Sequence, residues 1–364
     1  MPNKVDEYSS GDFSQLFLHD TPMIDTRSPG EFARGSFPHA VNLPLMLDDE
    51  RAKVGTCYKQ QGQAAAISLG HKLVCGEIKQ QRVQRWTEFA QVHPHGYLFC
   101  WRGGLRSEIS LQWLREVGIE YPRVPGGYKV LRRFLIDQTE AIIQARPLIL
   151  LAGRTGSGKT HVLNSLPSSI DLEGLAQHRG SSFGQRPIGQ PSQISFENRL
   201  AIALLKQTAA SSQSLLLEDE GSFIGRCSLP LNLYKQMKQS PRILLDVPLE
   251  DRINTILNDY IVDLYDEYLS VYQEQGFGLF ASMLRSGLQR IAKRLGGQRT
   301  MSISKILDEA LARQLSHGET SMHKIWIEEL LVNYYDPSYD YQLSRNEQPI
   351  LFKGDADEVM QYLS

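Results

Sequence analysis

Short apolar runs separated by amphipathic stretches dominate the chain through about residue 250. Met23-Ile24-Asp25 has the pattern of a short buried strand, and Ser28-Pro29-Gly30 is turn chemistry after which Glu31 opens a short helix. Gly35 to Pro44 is extended, with Pro38 and Pro44 confining it to a sheet edge or loop. Residues 48–92 are helical in pattern, with charged and Gln-rich faces punctuated by Gly62, Gly70 and Gly76. Tyr97-Leu98-Phe99 forms a strand. Ile109, Trp113, Leu114 and Val117 then give a helix one apolar face, with Ser107 as a suitable N-cap. Ile119 to Val124 reads as another strand, and Asp137 to Arg146 as a polar, helix-compatible link. Pro147 to Ala152, Leu215 to Glu218 and Ile243 to Leu245 are further strands. From about 250 onward the pattern is helical, with Leu284, Leu288, Ile291 and Leu295 in an apolar stripe.

This alternation predicts an α/β protein with parallel sheets. The expected division is a first domain over 1–137, a linker over 138–146, and a second α/β domain over 147–364 with a helical C-terminal part. With 364 residues and 41% apolar content the chain can bury a sizeable core. Its 39 Lys and Arg against 41 Asp and Glu leave a net charge of -2, so any nucleic-acid site must be a local patch. The four cysteines, at 57, 75, 100 and 227, show no CxxC spacing. That argues for free thiols in a reducing compartment and against a structural zinc. No basic-then-apolar leader and no run of membrane-spanning length is present, so the expectation is a soluble cytoplasmic protein.

The first candidate site is Cys100, in Phe99-Cys100-Trp101-Arg102-Gly103-Gly104-Leu105-Arg106-Ser107. A strand, a Gly-rich loop and a helix start wrap backbone N–H groups around the sulfur, and Arg102 and Arg106 add positive charge. All three favour thiolate, the nucleophilic form. The bland alternative is a buried structural cysteine at a strand end. The second is Gly153-Arg154-Thr155-Gly156-Ser157-Gly158-Lys159-Thr160, a full phosphate-binding loop between a strand and a helix. Gly153, Gly156 and Gly158 let the backbone approach phosphate oxygens, Lys159 supplies a point charge, and Thr160 can hold Mg²⁺. Asp219, at the end of the Leu215 strand, is a candidate second metal ligand, with Asp246 competing for that role. Polar segments at 171–184 and 191–197 look like a substrate loop or, equally, a surface connection. Ala281 to Thr300 carries Arg285, Arg290, Lys293, Arg294 and Arg299 with no acid. That is a solvated face or a nucleic-acid contact, with Arg290 and Arg294 the candidates.

Asp25 to Phe32, Pro38 to Pro44, the Cys100 loop and Gly126-Gly127-Tyr128 occur in the order seen in rhodanese-like sulfurtransferase domains, a resemblance covering about residues 10–137. The loop from Cys100 to Arg106 is one residue longer than is usual there. It matches the C-x5-R spacing of Cys-dependent phosphatases, although Phe99 stands where those have His.

Followed by a phosphate-binding-loop domain, the whole chain resembles the tRNA 2-selenouridine synthases. The carriers of that resemblance are Phe99 to Ser107, Gly153 to Thr160, Asp171 to Gly184, Glu218-Asp219-Glu220-Gly221 and Tyr334-Tyr335-Asp336-Pro337. The resemblance implies exchange of sulfur for selenium in wobble 2-thiouridine of tRNAs for Lys, Glu and Gln. It implies two steps, S-geranylation with geranyl diphosphate and then displacement using selenophosphate. Cys100 would carry selenium as Cys–S–Se⁻, with Arg102 and Arg106 holding the phosphate. The phosphate-binding loop would take the diphosphate, with Mg²⁺ on Thr160 and Asp219. Both donors are co-substrates, and no tightly bound cofactor or membrane partner is expected. An ATP-dependent tRNA thiolation enzyme, a Cys-dependent phosphatase and a non-catalytic rhodanese-like module gated by nucleotide remain alternatives.

Overall fold

The computed structural model describes residues 10–166, 169–210, 214–345 and 347–363. They fall into two compact units. Residues up to Ile142 together with Ser192–Lys206 make the first, and Ile143–Pro191 with the chain from Gln207 onward make the second.

The first unit runs α1 (Ser10–Leu18), β1 (Met23–Asp25), α2 (Pro29–Arg34), β2 (Ala40–Asn42), α3 (Asp48–Leu73), α4 (Gly76–Val92), β3 (Tyr97–Phe99), α5 (Leu105–Glu116) and α6 (Gly127–Ala145). Its three strands are parallel in the order β2-β1-β3, with Ile24 opposite both Val41 and Leu98. Leu98, Trp86, Leu111 and Leu114 pack into one core with Ile24. Trp86 is fully buried and donates its indole N–H to the Leu43 carbonyl at 2.9 Å, which satisfies its polar edge. Helix α3 breaks at Gly62, whose φ is 84°. A Cβ on Gly70 would lie 3.8 Å from Val54 Cγ2, so the two arms fold back on each other as a helical hairpin.

Three expectations need correction here. The strand expected over 119–124 is a single bridge between Leu98 and Arg123, because Pro122 has no N–H to extend a ladder. Ser107 is not the N-cap of α5. Gly104 occupies that place, and Ser107 is buried in the first turn. The second domain expected over 147–364 is not continuous, because Ser192–Lys206 fall in the first compact unit; the helix-compatible link at 138–146 is the end of α6, which runs to Ala145 on a buried stripe of Leu131, Leu135, Ile142 and Ile143.

The second unit contains β4 (Leu148–Gly153), α7 (Lys159–Asn164), β5 (Ser169–Ile170), α8 (Leu172–Ala176), the last residues of α9 (Gln193–Ala210), β6 (Leu215–Glu218), the small hairpin β7 (Phe223–Ile224) and β8 (Cys227–Ser228), α10 (Leu231–Met237) and β9 (Arg242–Leu245). A helical part follows: α11 (Leu249–Ile256), α12 (Asp263–Tyr272), α13 (Gly276–Leu295), α14 (Gly297–His317), α15 (His323–Leu330) and α16 (Asp336–Ser344). The chain then returns as β10 (Ile350–Gly354) and α17 (Ala356–Leu363). The five-stranded sheet is parallel, ordered β10-β9-β4-β6-β5, so the strand feeding the phosphate-binding loop is central. Its residues Leu150, Leu151 and Ala152 are buried, as expected of a parallel strand covered on both faces. Strand β10 stands in a region whose pattern predicts helix. Three apolar residues are too few to distinguish the two periods, and pairing with β9 decides the outcome. The stripe Leu284, Leu288, Ile291 and Leu295 is buried in the helical part's own core, as its spacing predicts.

Candidate active sites

In the first unit, β3 delivers Cys100 to a strand end and α5 starts five residues later. Cys100 is 3% exposed. Its carbonyl accepts from Tyr128 N–H at 2.9 Å, and the Trp101 carbonyl accepts from Lys129 N–H at 3.0 Å. The Cys100 loop is thereby strapped to Gly126-Gly127-Tyr128. Gly127 sits at φ 60°, and a Cβ there would overlap the Cys100 carbonyl, so only glycine permits this approach. Behind the loop, Arg27 is buried, paired with Asp25 at 2.6 Å and lying 3.7 Å over the Tyr128 ring; Trp101 stacks on the same ring at 5.3 Å. This makes a rigid seat. Gly104 offers α5 no side-chain cap for the N–H groups of its first turn, and a helix N-terminus of that kind favours negative charge.

The two arginines differ. Arg102 is exposed, with no ion pair among the described residues. Arg106 is held by Glu31 at 2.7 Å, and Arg51 reaches the same carboxylate at 3.1 Å. Burial alone would raise the Glu31 pKa, but Arg106 and then Arg51 hold it below the usual value. Arg106 thus reaches an incoming anion only by sharing its charge with Glu31.

In the second unit the phosphate-binding loop opens onto a polar cavity of about 780 Å³. Gly156 (φ 82°) and Gly158 (φ 76°) take left-handed conformations, and a Cβ on Gly156 would lie 2.8 Å from the Arg252 carbonyl. Gly153 ends β4, where a Cβ would lie 2.5 Å from Ser157 Oγ. Lys159 opens α7, donating to the Gly153 carbonyl at 3.3 Å; Thr160 lines the cavity beside it.

The acid run that ends β6 reaches the cavity, but its members differ in their partners. Asp219 lines it, but Arg242 holds its carboxylate at 2.7 Å, and the Arg242 side chain is only 4% exposed. The acids grouped beside Lys159 are Glu173 from α8, Glu218 from the end of β6, and Glu220. They offer carboxylate oxygens within 4.8 Å of one another. Glu218 is 1% exposed, and its Oε2 has no hydrogen-bond partner. Burial first, and then repulsion from Glu220, push Glu173 up to about 8, with Lys159 opposing. Glu218 and Glu220 are raised by burial as well, and Lys159 pulls both down. Three hard oxygen donors and an orphaned buried carboxylate oxygen fit a divalent cation such as Mg²⁺. The run Glu218-Asp219-Glu220 is legible in the sequence as a source of a metal-side carboxylate, with Asp219 the candidate, whereas Glu173 is not. What brings Glu173 to them is the fold of residues 171–184, which line the cavity instead of forming a mere surface connection.

Two π-helical turns, Leu257–Val262 and Leu331–Tyr335, deliver Tyr260, Tyr334 and Tyr335 to the same wall. Such turns are frequent at functional sites. On α13, Arg290 donates to the Ser182 carbonyl at 2.5 Å and so braces the 171–184 segment, while Arg294 lines the cavity. Arg285 is bridged to Asp308 at 2.7 Å. Of the basic face, Lys293, Arg294 and Arg299 are exposed without an ion pair among the described residues.

A parallel α/β sheet with a phosphate-binding loop at its central strand, carried on one chain with a cysteine-bearing loop, defines a P-loop α/β protein with a second potential reaction centre. Residues 146–364 match the family described as the tRNA 2-selenouridine synthase AAA domain. The chain is 53% identical over 352 residues to the tRNA 2-selenouridine synthase of Pseudomonas fluorescens strain Pf-5, covering 97% of each. It is 54% identical to that of Bordetella bronchiseptica, covering 97% of this chain and 96% of that one. The chain belongs to the tRNA 2-selenouridine synthase family, and it is an enzyme.

Proposed function

We propose that this enzyme converts wobble 2-thiouridine to 2-selenouridine in tRNAs for Lys, Glu and Gln, in two steps. The observation that carries the reading is the presence of two anion-binding loops of different chemistry on one chain. One is the phosphate-binding loop with Lys159, and the other the Cys100 loop at the start of α5.

In the first step the 2-thio sulfur attacks C1 of geranyl diphosphate, the C–O bond breaks with its electron pair leaving on diphosphate, and the uracil N3 proton passes to solvent as the C2=S bond becomes C2–S. Lys159 and the loop N–H groups neutralise that leaving charge. A Mg²⁺ ion held by Glu173, Glu218, Glu220 and Thr160 would add Lewis-acid stabilisation of the same oxygens. Alkylation turns the sulfur into a thiolate leaving group.

In the second step selenium replaces that group, and the first unit, whose rhodanese-like character is part of this proposal, supplies the nucleophile. Electron counting narrows the role of Cys100. A Cys–S–Se⁻ carrier lies two electrons above thiolate plus selenide, so forming it from selenophosphate needs an oxidant. The redox-neutral course is addition of the Cys100 thiolate to C2, with geranylthiolate leaving. Selenium of selenophosphate then displaces Cys100, and water cleaves the P–Se bond to give phosphate. Arg102 and the first turn of α5 bind the phosphate of the incoming donor. Selenophosphate and geranyl diphosphate are co-substrates in this scheme, and the protein works on tRNA in the cytoplasm.

Mass spectrometry of nucleosides tests it. tRNA bearing 2-thiouridine, incubated with the protein, geranyl diphosphate and selenophosphate, should yield S-geranyl-2-thiouridine and then 2-selenouridine. A requirement for ATP, with no geranylated nucleoside, would instead identify a thiolation-type reaction.

A further inference from the structure

An apolar groove of about 720 Å³ lies in the first unit between the α3 hairpin and α5. It begins where the Cys100 loop ends, since Leu105 and Arg106 form part of its wall. Val74 and Trp113 are buried at its floor, with Ile67 and Ile109 above them. Its rim is different. Arg51, Lys59, His71 and Arg106 line it, and no carboxylate does, although Glu31 holds Arg51 and Arg106 from behind. An apolar trough of that size is within the usual range for a small ligand, about 300–1,000 Å³. The basic edge asks for an anion as well. A free lipid chain satisfies the floor only, and unmodified nucleic acid satisfies the rim only.

We propose that this groove holds the geranyl chain of S-geranyl-2-thiouridine while the tRNA phosphates around the modified nucleotide meet the basic rim. The inference rests on the two-step reading above and adds where the leaving group lies. With the chain in the groove, the C2–S bond is carried to the Cys100 end of α5. When that bond breaks, its electron pair leaves with sulfur, and the protonated product, geranylthiol, is already in an apolar site. The groove also gives the second step a way to refuse unalkylated 2-thiouridine, whose sulfur is a poor leaving group. That discrimination comes from buried apolar area, at roughly tenfold in affinity for every two methylenes placed in the trough.

Gly55 and Gly70, one from each arm of the hairpin, both line the groove. A Cβ at Gly55 meets nothing within 4 Å, and one at Gly70 meets only Val54 Cγ2 at 3.8 Å. Neither has a positive φ, so Gly55→Leu and Gly70→Leu add bulk to the trough without backbone strain and with better helix propensity. The experiment measures binding of three tRNAs to the full-length protein and its variants: one with 2-thiouridine, one S-methylated and one S-geranylated.

The wild type should prefer the S-geranyl over the S-methyl tRNA by at least about tenfold, and the double variant should lose that preference. In turnover with selenophosphate the variant should accumulate S-geranyl-2-thiouridine. Equal binding of all three tRNAs by the wild type, or a preference that survives in the variant, overturns the groove assignment. A preference lost in the variant, in a wild type that never converts S-geranyl tRNA to 2-selenouridine, supports the groove and overturns the selenation reading instead.

Discussion

Lys159→Ala isolates the charge of the phosphate-binding loop. Lys159 Nζ has one described hydrogen bond, to the Gly153 carbonyl at 3.3 Å, and no ion pair within 4 Å among the described residues. Its charge is therefore available to a ligand. Three glutamates, Glu173, Glu218 and Glu220, feel that charge: burial raises all three, and Lys159 opposes the rise. For the diphosphate the loss is direct. A charge-assisted hydrogen bond of about 1.5–3 kcal/mol disappears, which corresponds to roughly ten- to 150-fold in affinity. The assay is transfer of labelled geranyl into 2-thiouridine tRNA at varied geranyl diphosphate. The KM for geranyl diphosphate should rise by that factor while the apparent KM for tRNA stays within about twofold. An unchanged KM for geranyl diphosphate, or an equal rise in both, refutes the assignment of this loop to the diphosphate.

Cys100→Ser changes one atom in a seat fixed by Tyr128 and Lys129, so the variant should still make S-geranyl-2-thiouridine and then stall; 2-selenouridine at the wild-type rate would show that Cys100 is not the nucleophile. Lys293→Ala with Arg294→Ala should weaken tRNA binding, and the slope of log affinity against log salt should fall by roughly 0.7–0.9 for each phosphate that these side chains no longer neutralise. An unchanged slope moves the tRNA surface off α13. Glu173 is held protonated by burial, with its pKa pushed up to about 8. Its contribution to stability is complete below about pH 4.5 and is lost as pH rises through 8, by up to about 1.4 kcal/mol per pH unit for one proton. Denaturant unfolding in chelator between pH 6 and 9 should show that loss, and Glu173→Gln should flatten it; an identical pH profile in both would remove Glu173 from the cluster.

Local pattern makes several parts of this protein legible without any knowledge of its fold. A Gly-rich loop needs only its own glycines and one lysine to cradle phosphate, so Gly153 to Thr160 is readable wherever a strand precedes it and a helix follows. The stripe from Leu284 to Leu295 announces its buried face by spacing alone, and that face is buried. Ser28-Pro29-Gly30 likewise announces the start of α2, although the helix begins at Pro29, two residues before Glu31, which instead accepts from the Ser28 N–H at 3.1 Å.

Other features exist only because distant segments meet. Arg242 lies 23 residues beyond Asp219, and parallel pairing of β9 beside β4 lets it claim that carboxylate as its own partner. Glu173 joins Glu218 and Glu220 across a still longer gap in sequence, and burial together is what raises all three. Arg290 is one basic residue among several in sequence, yet in space one of its N–H donors braces the Ser182 carbonyl. Strand β10 owes its conformation to β9, and the groove beside Cys100 to a reversal at Gly62 that brings Gly70 near Val54. Periodicity and loop chemistry are properties of neighbours along the chain, so most of the elements and the two glycine-rich loops are written in the residues themselves. The partner of a charge, and the space left between helices, depend on residues tens of positions apart. Those come into being only when the chain folds.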